Sequence, residues 1–174
     1  MRSLIVLMAI WTITTAAVRA GDKPAGWGPV DFLLGDWVGE GGGGPGQGSG
    51  SFSFHPDLQG KVLVRKNRAE YPATKDRAAS VHDDLMIVYH DAPEAPLRAI
   101  YFDSEGHVIR YEIQSGQEGE AVFVSAPEPS APRFRLTYMH TGPDQVKIRF
   151  EIAPPSHPAQ FASYIEAGAH RTAK

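Results

Sequence analysis

Cysteine is absent from the whole 174-residue chain. Disulfide bonds are therefore excluded, as is a lipid-modified cysteine at a mature N-terminus. The protein must hold its fold through its hydrophobic core alone. Without the N-terminal leader described next, 154 of the 174 residues are left. That is the size of one ordinary domain, which buries roughly two-thirds of its surface.

Long hydrophobic runs are also absent, except at the N-terminus. Arg2 precedes an apolar stretch over residues 4–17, and Val18-Arg19-Ala20 offers an acceptable small-residue cleavage site. This arrangement is typical of a secretory signal peptide over residues 1–20, with cleavage after Ala20. An uncleaved membrane anchor is the alternative, but the run is too short to favour it. We therefore expect a secreted or periplasmic protein with no membrane insertion after cleavage.

An excess of basic residues is missing as well. The chain has 17 lysine and arginine residues against 20 aspartate and glutamate residues. Removal of Arg2 and Arg19 with the leader leaves 15 basic residues and a charge of about −5. Phosphate neutralisation dominates affinity for nucleic acid, so an acidic domain without a basic cluster is not expected to bind it. An anionic membrane surface is excluded as a partner for the same reason.

Helix-period segments of useful length are not found either. Short segments of apolar and β-branched residues alternate with turn signals, which is typical of an all-β protein. Ten strands are predicted, over residues 35–40, 49–55, 61–71, 84–90, 97–102, 107–113, 121–125, 133–140, 145–153 and 159–166. A sandwich and a barrel both fit this spacing, and the sequential hairpins favour an antiparallel up-and-down barrel because closure removes exposed edges. The barrel domain is expected over residues 29–174, after a flexible lead-in at 21–28, and it should begin with a short helical plug before the first strand.

Motifs for catalysis and nucleotide binding are also lacking. Glycines at positions 39, 41 and 44 match G-x-G-x-x-G, but Pro45 follows where a helix must begin. No G-x-S-x-G elbow occurs. Asp83 and Asp84 are adjacent, so in a strand they face opposite ways and cannot act as a carboxylate pair. No enzymatic activity is assigned, and residues 41–48 are interpreted as a flexible loop over the barrel mouth.

Histidines do not form a recognisable metal motif. His82 and His90 would lie roughly 26 Å apart on one extended strand, too far to share an ion. Asp103 and His107 flank a hairpin and can approach each other, although the Asp-Ser-Glu-Gly sequence between them is ordinary turn chemistry. The metal ligands therefore stay unknown from the sequence, and no cofactor is predicted.

The barrel interior can hold side chains or one small ligand. Alternation along the strands gives six candidate residues for a small, mostly apolar molecule: Phe54, Tyr89, Tyr111 and Tyr138 as lining, with Arg65 or Arg68 as the polar contact. Both faces of the strand at 61–71 carry basic residues, so the interior is expected to contain at least one cation that pairs internally or meets a ligand. A filled barrel that serves as a structural or interaction domain is the alternative.

Residues 34–41, Leu-Gly-Asp-Trp-Val-Gly-Glu-Gly, follow an apolar turn and lead into the first strand. This segment resembles the opening of small calycin-like barrels, the nitrobindin-like group in particular, and exported bacterial barrels of that kind. The resemblance implies a ten-stranded barrel, with a haem-binding protein as an alternative function. Haem would need a histidine near the chain end, where His157 and His170 occur. It also implies that Trp37, at the closed end, stacks with a basic residue near the C-terminus, for which Arg171 is the candidate.

Overall fold

The computed structural model describes residues 26–40 and 49–172, and this part of the chain forms ten strands. In chain order they are β1 (Gly35–Glu40), β2 (Ser49–Asp57), β3 (Val62–Tyr71), β4 (Ser80–His90), β5 (Leu97–Asp103), β6 (Val108–Ser115), β7 (Glu120–Ser125), β8 (Arg133–Gly142), β9 (Gln145–Ala153) and β10 (Ala162–Arg171). Every strand pairs with its neighbours in the sequence, and β1 pairs with β10 to close an antiparallel barrel. The predicted all-β, up-and-down barrel is confirmed.

The short N-terminal helical plug is a 3₁₀ helix over Gly28–Leu33, and a second 3₁₀ turn covers Leu58–Gly60. Among the described residues no helix is long and apolar enough to span a membrane. The predicted signal peptide, the lead-in up to residue 25 and the glycine-rich loop at 41–48 lie outside the described residues.

Most predicted strand bounds agree with the structure to within two residues, and β4 and β10 differ more. β4 begins at Ser80 instead of residue 84, because its first residues pair with the end of β3. β10 covers Ala162–Arg171 instead of 159–166. Prolines make the preceding segment unsuited to a sheet, and the strand continues to Arg171 because β1 pairs with its second half.

The base of the barrel, which is the end at the 3₁₀ helix, is closed by packing around Trp37. This side chain is fully buried, and its indole Nε1 donates a hydrogen bond to the carbonyl of Leu33 over 2.8 Å. The guanidinium carbon of Arg171 lies 4.3 Å from the centre of the Trp37 ring. Arg171 also donates to the carbonyls of Leu34 and Phe32. One cation thus ties the last strand to the plug.

Aromatic side chains fill the interior above the base. Six of them form a continuous buried cluster, Trp37, Phe52, Phe54, Tyr111, Phe123 and Tyr138. Neighbouring rings in this cluster have centroids 5.7 to 6.2 Å apart, mostly in edge-to-face or tilted arrangements. These are favourable aromatic geometries. The base half of the barrel is therefore occupied by side chains.

The opposite end, which we call the mouth, is bordered by the segments at 72–79, 104–107, 126–132 and 154–161. The last of these is fixed from outside the barrel. The Phe161 ring lies 4.3 Å from the guanidinium carbon of Arg135 and 5.4 Å from that of Arg133. Arg135 in turn donates two hydrogen bonds, of 2.6 and 2.7 Å, to the buried Glu151. One side of the mouth therefore has a fixed border.

Replacing Trp37 with alanine should lower the free energy of unfolding by about 3–5 kcal/mol, because a fully buried indole leaves a cavity at the base. Urea denaturation followed by circular dichroism measures this loss. Tyr164, which is 61% exposed, is the control. Tyr164→Ala should change stability by no more than about 0.5 kcal/mol. A loss below about 1 kcal/mol for Trp37→Ala would contradict its role at the base.

The Arg135–Glu151 pair should make stability depend on pH. Its hydrogen bonds hold the pKa of Glu151 below the ordinary value, so the carboxylate stabilises the fold above the unfolded pKa of about 4.3. This contribution is lost as the pH falls through the lower folded pKa. Glu151→Gln should therefore be less stable than wild type near neutral pH, with a difference that narrows below about pH 4. Thermal unfolding at several pH values tests this, and a constant difference would exclude the charge as its cause.

Candidate functional site: the mouth of the barrel

The candidate site lies on the inner wall at the mouth. Asn67 on β3, Asp84 on β4 and Asp103 on β5 are direct partners across neighbouring strands. Because alternate residues of a strand share a face, Arg65 points inward with Asn67, one step nearer the base. Register therefore places three polar side chains in one row, with a cation beneath them.

Arg65 and Asp84 form a buried ion pair. Their side chains are only 8% and 4% exposed. Nη1 of Arg65 donates to Oδ1 of Asp84, and Nδ2 of Asn67 donates to the other carboxylate oxygen over 2.9 Å. Burial disfavours the charge of Arg65, but Asp84 more than compensates and raises the pKa of the guanidinium above its usual value. Each charge is thus held in place by the other.

Two buried polar atoms beside this pair have no hydrogen-bond partner among the described residues. They are Nε of Arg65 and the hydroxyl of Tyr138. The Tyr138 side chain is fully buried, and burial raises the pKa of its hydroxyl. The Arg65 guanidinium also lies 5.7 Å from the centre of the Phe52 ring. A buried donor without an acceptor costs about 1–3 kcal/mol. The two side chains do interact with each other, and this contact raises the pKa of Arg65 and opposes the effect of burial on the pKa of Tyr138. Neither Nε of Arg65 nor the Tyr138 hydroxyl has a hydrogen bond of ordinary geometry, so both can accept a further partner in the interior.

His82 connects the row of polar residues to the hairpin between β5 and β6. Its Nδ1 lies 2.8 Å from a carboxylate oxygen of Glu105, and its Nε2 lies 3.1 Å from the hydroxyl of Tyr101. Nε2 is also 3.4 Å from Oδ2 of Asp84. The interaction with Asp84, followed by that with Glu105, raises the pKa of His82 although partial burial opposes it.

Asp103 is held rigidly at the edge of the same hairpin. Its side chain is 6% exposed, and its Oδ1 accepts hydrogen bonds from the backbone N–H groups of Glu105 and His107. Nδ1 of His107 lies 2.8 Å from Oδ2 of Asp103, so these two residues do approach each other. Burial opposes ionisation, but the hydrogen bonds with His107 lower the pKa of Asp103 overall. The carboxylate is thus kept charged next to His82.

The other side of the mouth is aromatic. Phe134 on β8 and Phe150 on β9 are half-buried against the core and stack with centroids 5.9 Å apart. Tyr164 meets Phe150 edge-on at 6.3 Å and sits where the pairing of β9 with β10 shifts register. The mouth therefore has a polar wall on β3–β5 and an aromatic wall on β8–β10. Pockets that bind organic molecules commonly combine such surfaces.

Four of the six predicted lining residues face the interior, and they are Phe54, Arg65, Tyr111 and Tyr138. Arg68 and Tyr89 lie instead on the outer face of the barrel. Arg68 pairs there with Glu70 and Asp83, and its side chain is half exposed. Tyr89 is the neighbour of Val88, which is fully buried on the inner face. Apolar residues occupy both faces of β4, so alternation alone could not assign its inner side.

Sequence reasoning missed most of the polar wall. In the sequence, Asp84 draws attention only as a possible carboxylate pair with the adjacent Asp83. Its place in a row with Asn67 and Asp103 depends on the register of three strands. The sequence signal for this site is one polar residue at an inward position of each of the three strands. Without the strand register, these three residues cannot be recognised as neighbours.

The histidines that the resemblance offers for haem do not reach the interior. His157 lies in the exposed segment before β10, with Nδ1 3.0 Å from the hydroxyl of Ser156. His170 points outward and lies 3.2 Å from a carboxylate oxygen of Glu40. Neither histidine is therefore placed to ligate a haem iron inside the barrel.

A separate groove of about 650 Å³ crosses the outer face of β1–β5. Its lining includes the small Ser51 and Ser53, the basic Lys66 and Arg68, and the exposed Phe102. The groove is open. Its lining also includes Asn67, Asp84 and Asp103 of the polar wall, but neither Arg65 nor Tyr138. We therefore place the candidate site at the mouth.

No protein-family model matches the chain, and no curated protein matches its sequence. The closed ten-strand antiparallel barrel is compatible with a calycin-like fold. The stacking of Arg171 on Trp37 has the form that the resemblance implied. Function must therefore be argued from the residues of the mouth.

Removing the charge of Asp84 should destabilise the protein strongly. Asp84→Asn leaves Arg65 as a buried cation without its counter-charge, which typically costs about 3–5 kcal/mol. Asp83→Asn is the matched control, because the adjacent Asp83 makes an exposed pair with Arg68 that should contribute under about 1 kcal/mol. Urea denaturation of both variants tests the difference, and equal losses would contradict the buried pair. Adding Arg65→Met to Asp84→Asn should recover much of the lost stability.

Proposed function

We propose that this protein is an exported calycin-like barrel that binds one small, mostly apolar molecule inside its mouth. The observation that carries the proposal is the pair of buried, unpartnered donors, Nε of Arg65 and the hydroxyl of Tyr138. They lie in the interior of a barrel whose mouth has one aromatic wall and one polar wall. The export step rests on the predicted signal peptide, and the calycin-like relationship rests on the barrel and the Trp37–Arg171 contact.

The chemistry of the donors indicates what the ligand must contain. The N–H of Arg65 and the hydroxyl of Tyr138 can both donate, so the matching group on the ligand is an oxygen acceptor. The charge of Arg65 is already balanced by Asp84, and Asp103 and Glu105 add negative charge nearby. A neutral carbonyl is therefore a better match than a carboxylate, which these acidic residues would repel.

The apolar part of the ligand would lie toward Phe134 and Phe150. Both rings are half-buried, so a planar apolar body could cover the surface that they leave exposed. Apolar contact contributes about 25 cal/mol for each Å² of surface removed from water. The carbonyl would supply orientation and the aromatic wall most of the affinity.

A filled barrel that acts as a structural or interaction domain is the second candidate function. The buried aromatic cluster in the base half favours it, because little space is left there. In that case a water molecule would satisfy Arg65 and Tyr138, and the mouth would bind no organic ligand.

Native mass spectrometry of the protein produced with its own leader in an exporting host tests export and binding together. The exported fraction should contain a chain that lacks residues 1–20. Its native mass should exceed its denatured mass by that of one small molecule. A chain that keeps the leader would contradict export, and a bare native mass would favour the filled barrel.

A defined probe tests the role of the unpartnered donors. The neutral naphthyl ketone prodan has an apolar body and one carbonyl, and its fluorescence shifts to the blue in an apolar site. Tyr138→Phe should weaken prodan binding about tenfold, since one hydrogen bond of about 1.4 kcal/mol is lost. Tyr89→Phe, which removes a hydroxyl from the outer face, should leave binding unchanged.

Two outcomes would contradict the interior site. Prodan could fail to bind the wild type, or Tyr138→Phe and Tyr89→Phe could bind it equally. In a filled barrel where water satisfies the Tyr138 hydroxyl, Tyr138→Phe should instead lower the free energy of unfolding by about 1 kcal/mol, because one hydrogen bond to that water is lost.

A further inference from the structure

Three side chains at the mouth are arranged as a metal-binding group, and the ligand proposal gives none of them a direct contact. His82 at the start of β4, Asp103 at the end of β5 and Glu105 in the following hairpin each offer one ligand atom. These atoms all lie within 4.8 Å of one another. They come from two places in the chain, residue 82 and residues 103–105, which the pairing of β4 with β5 brings together.

The charges around the group favour a divalent cation. Three carboxylates face this region, those of Asp84, Asp103 and Glu105, and Arg65 is the cation that opposes them. His82, His107 and Tyr101 are the other titratable groups in contact with these carboxylates among the described residues, and Tyr101 is neutral. With neutral imidazoles, two negative charges are left without compensation. A divalent ion would balance them.

We propose that His82, Asp103 and Glu105 bind a divalent transition-metal ion such as Zn²⁺. Zinc lies about 2.0–2.2 Å from imidazole nitrogen and carboxylate oxygen, so atoms that share one ion are at most about 4.4 Å apart. Glu105 is on an exposed hairpin, and its side chain is 46% exposed, so it can move the remaining fraction of an ångström. Imidazole in the set favours zinc and its neighbours over Ca²⁺ and Mg²⁺.

Neighbouring residues hold these ligands in the orientation that metal sites require. With Nδ1 of His82 on the metal, its Nε2–H faces Asp84, which Arg65 and Asn67 fix from behind. Oδ1 of Asp103 accepts from two backbone N–H groups, so Oδ2 is the oxygen that would face the ion. Oδ2 also lies 2.8 Å from Nδ1 of His107 and 3.3 Å from the hydroxyl of Tyr101, and the ion would compete with these contacts. Carboxylates behind a ligating histidine are the usual support of such sites. A metal here would take three protein ligands and keep one position open.

Other histidine–carboxylate pairs on the protein provide the comparison. His55 lies 2.9 Å from Oδ1 of Asp36, and both side chains are more than half exposed on the outer face. This pair has the same chemistry as His82 with Glu105, but it lacks the third ligand and the buried support. Weak binding at most is expected there.

Isothermal titration of the metal-free mature chain with Zn²⁺ tests the proposal, with Co²⁺ absorption as a spectroscopic report of the ligands. We expect one ion per chain with a micromolar or lower Kd, and a higher Tm when the ion binds. Glu105→Gln and His82→Gln should each weaken binding about tenfold or more. His55→Gln should bind as the wild type does, and excess Mg²⁺ should not compete.

The test stays decisive if one variant folds poorly. Glu105 is exposed, so Glu105→Gln should keep the wild-type circular dichroism spectrum and Tm in the absence of metal. Binding of Zn²⁺ by the wild type only in the millimolar range would overturn the proposal, as would equal losses in His55→Gln and Glu105→Gln. Because the metal alone is the probe, these results do not depend on whether prodan or any other organic molecule binds the mouth.

Discussion

Pairing between β1 and β10 closes the sheet, and the other properties of this protein depend on that closure. Four residue pairs join the two strands, from Trp37 with Arg171 to Glu40 with Gly168. Once the sheet is closed, every strand has an inner and an outer face, and alternate side chains must enter a confined space. Closure thus buries one set of alternate side chains in the core and leaves the other set on the surface. It also removes the free edges through which chains aggregate.

The two halves of the interior serve different physical purposes. Near the base, aromatic rings around Trp37 and Tyr138 pack closely and supply the hydrophobic core that a protein without disulfides needs. Near the mouth, the inner wall carries charge, and Arg65 marks the boundary between the two. A buried ion pair is seldom a net source of stability compared with apolar residues of similar size. The arrangement therefore supports the binding role that we propose for the mouth.

The fold was predictable because its signals are local and repeated. Alternation in β8 and β9, the turn at 141–144 and the apolar residues before Trp37 each indicated the correct element. The inner face of β4 was not predictable in the same way, since Leu85 and Met86 are adjacent and both apolar. The cluster of His82 with Asp103 and Glu105 was even harder to predict from the sequence. Its members approach only because β4 and β5 pair in one particular register.

The contact of Arg171 with the plug has a consequence for how the chain reaches its native state. Arg171 donates to the carbonyls of Phe32 and Leu34, which lie 139 and 137 positions earlier in the sequence. A barrel with such distant partners cannot close before β10 has been synthesised, and contacts of long sequence separation form slowly. The polypeptide therefore stays open until almost the whole domain is made. If the chain is exported as we propose, that delay keeps it extended for passage through a narrow translocation channel before it folds.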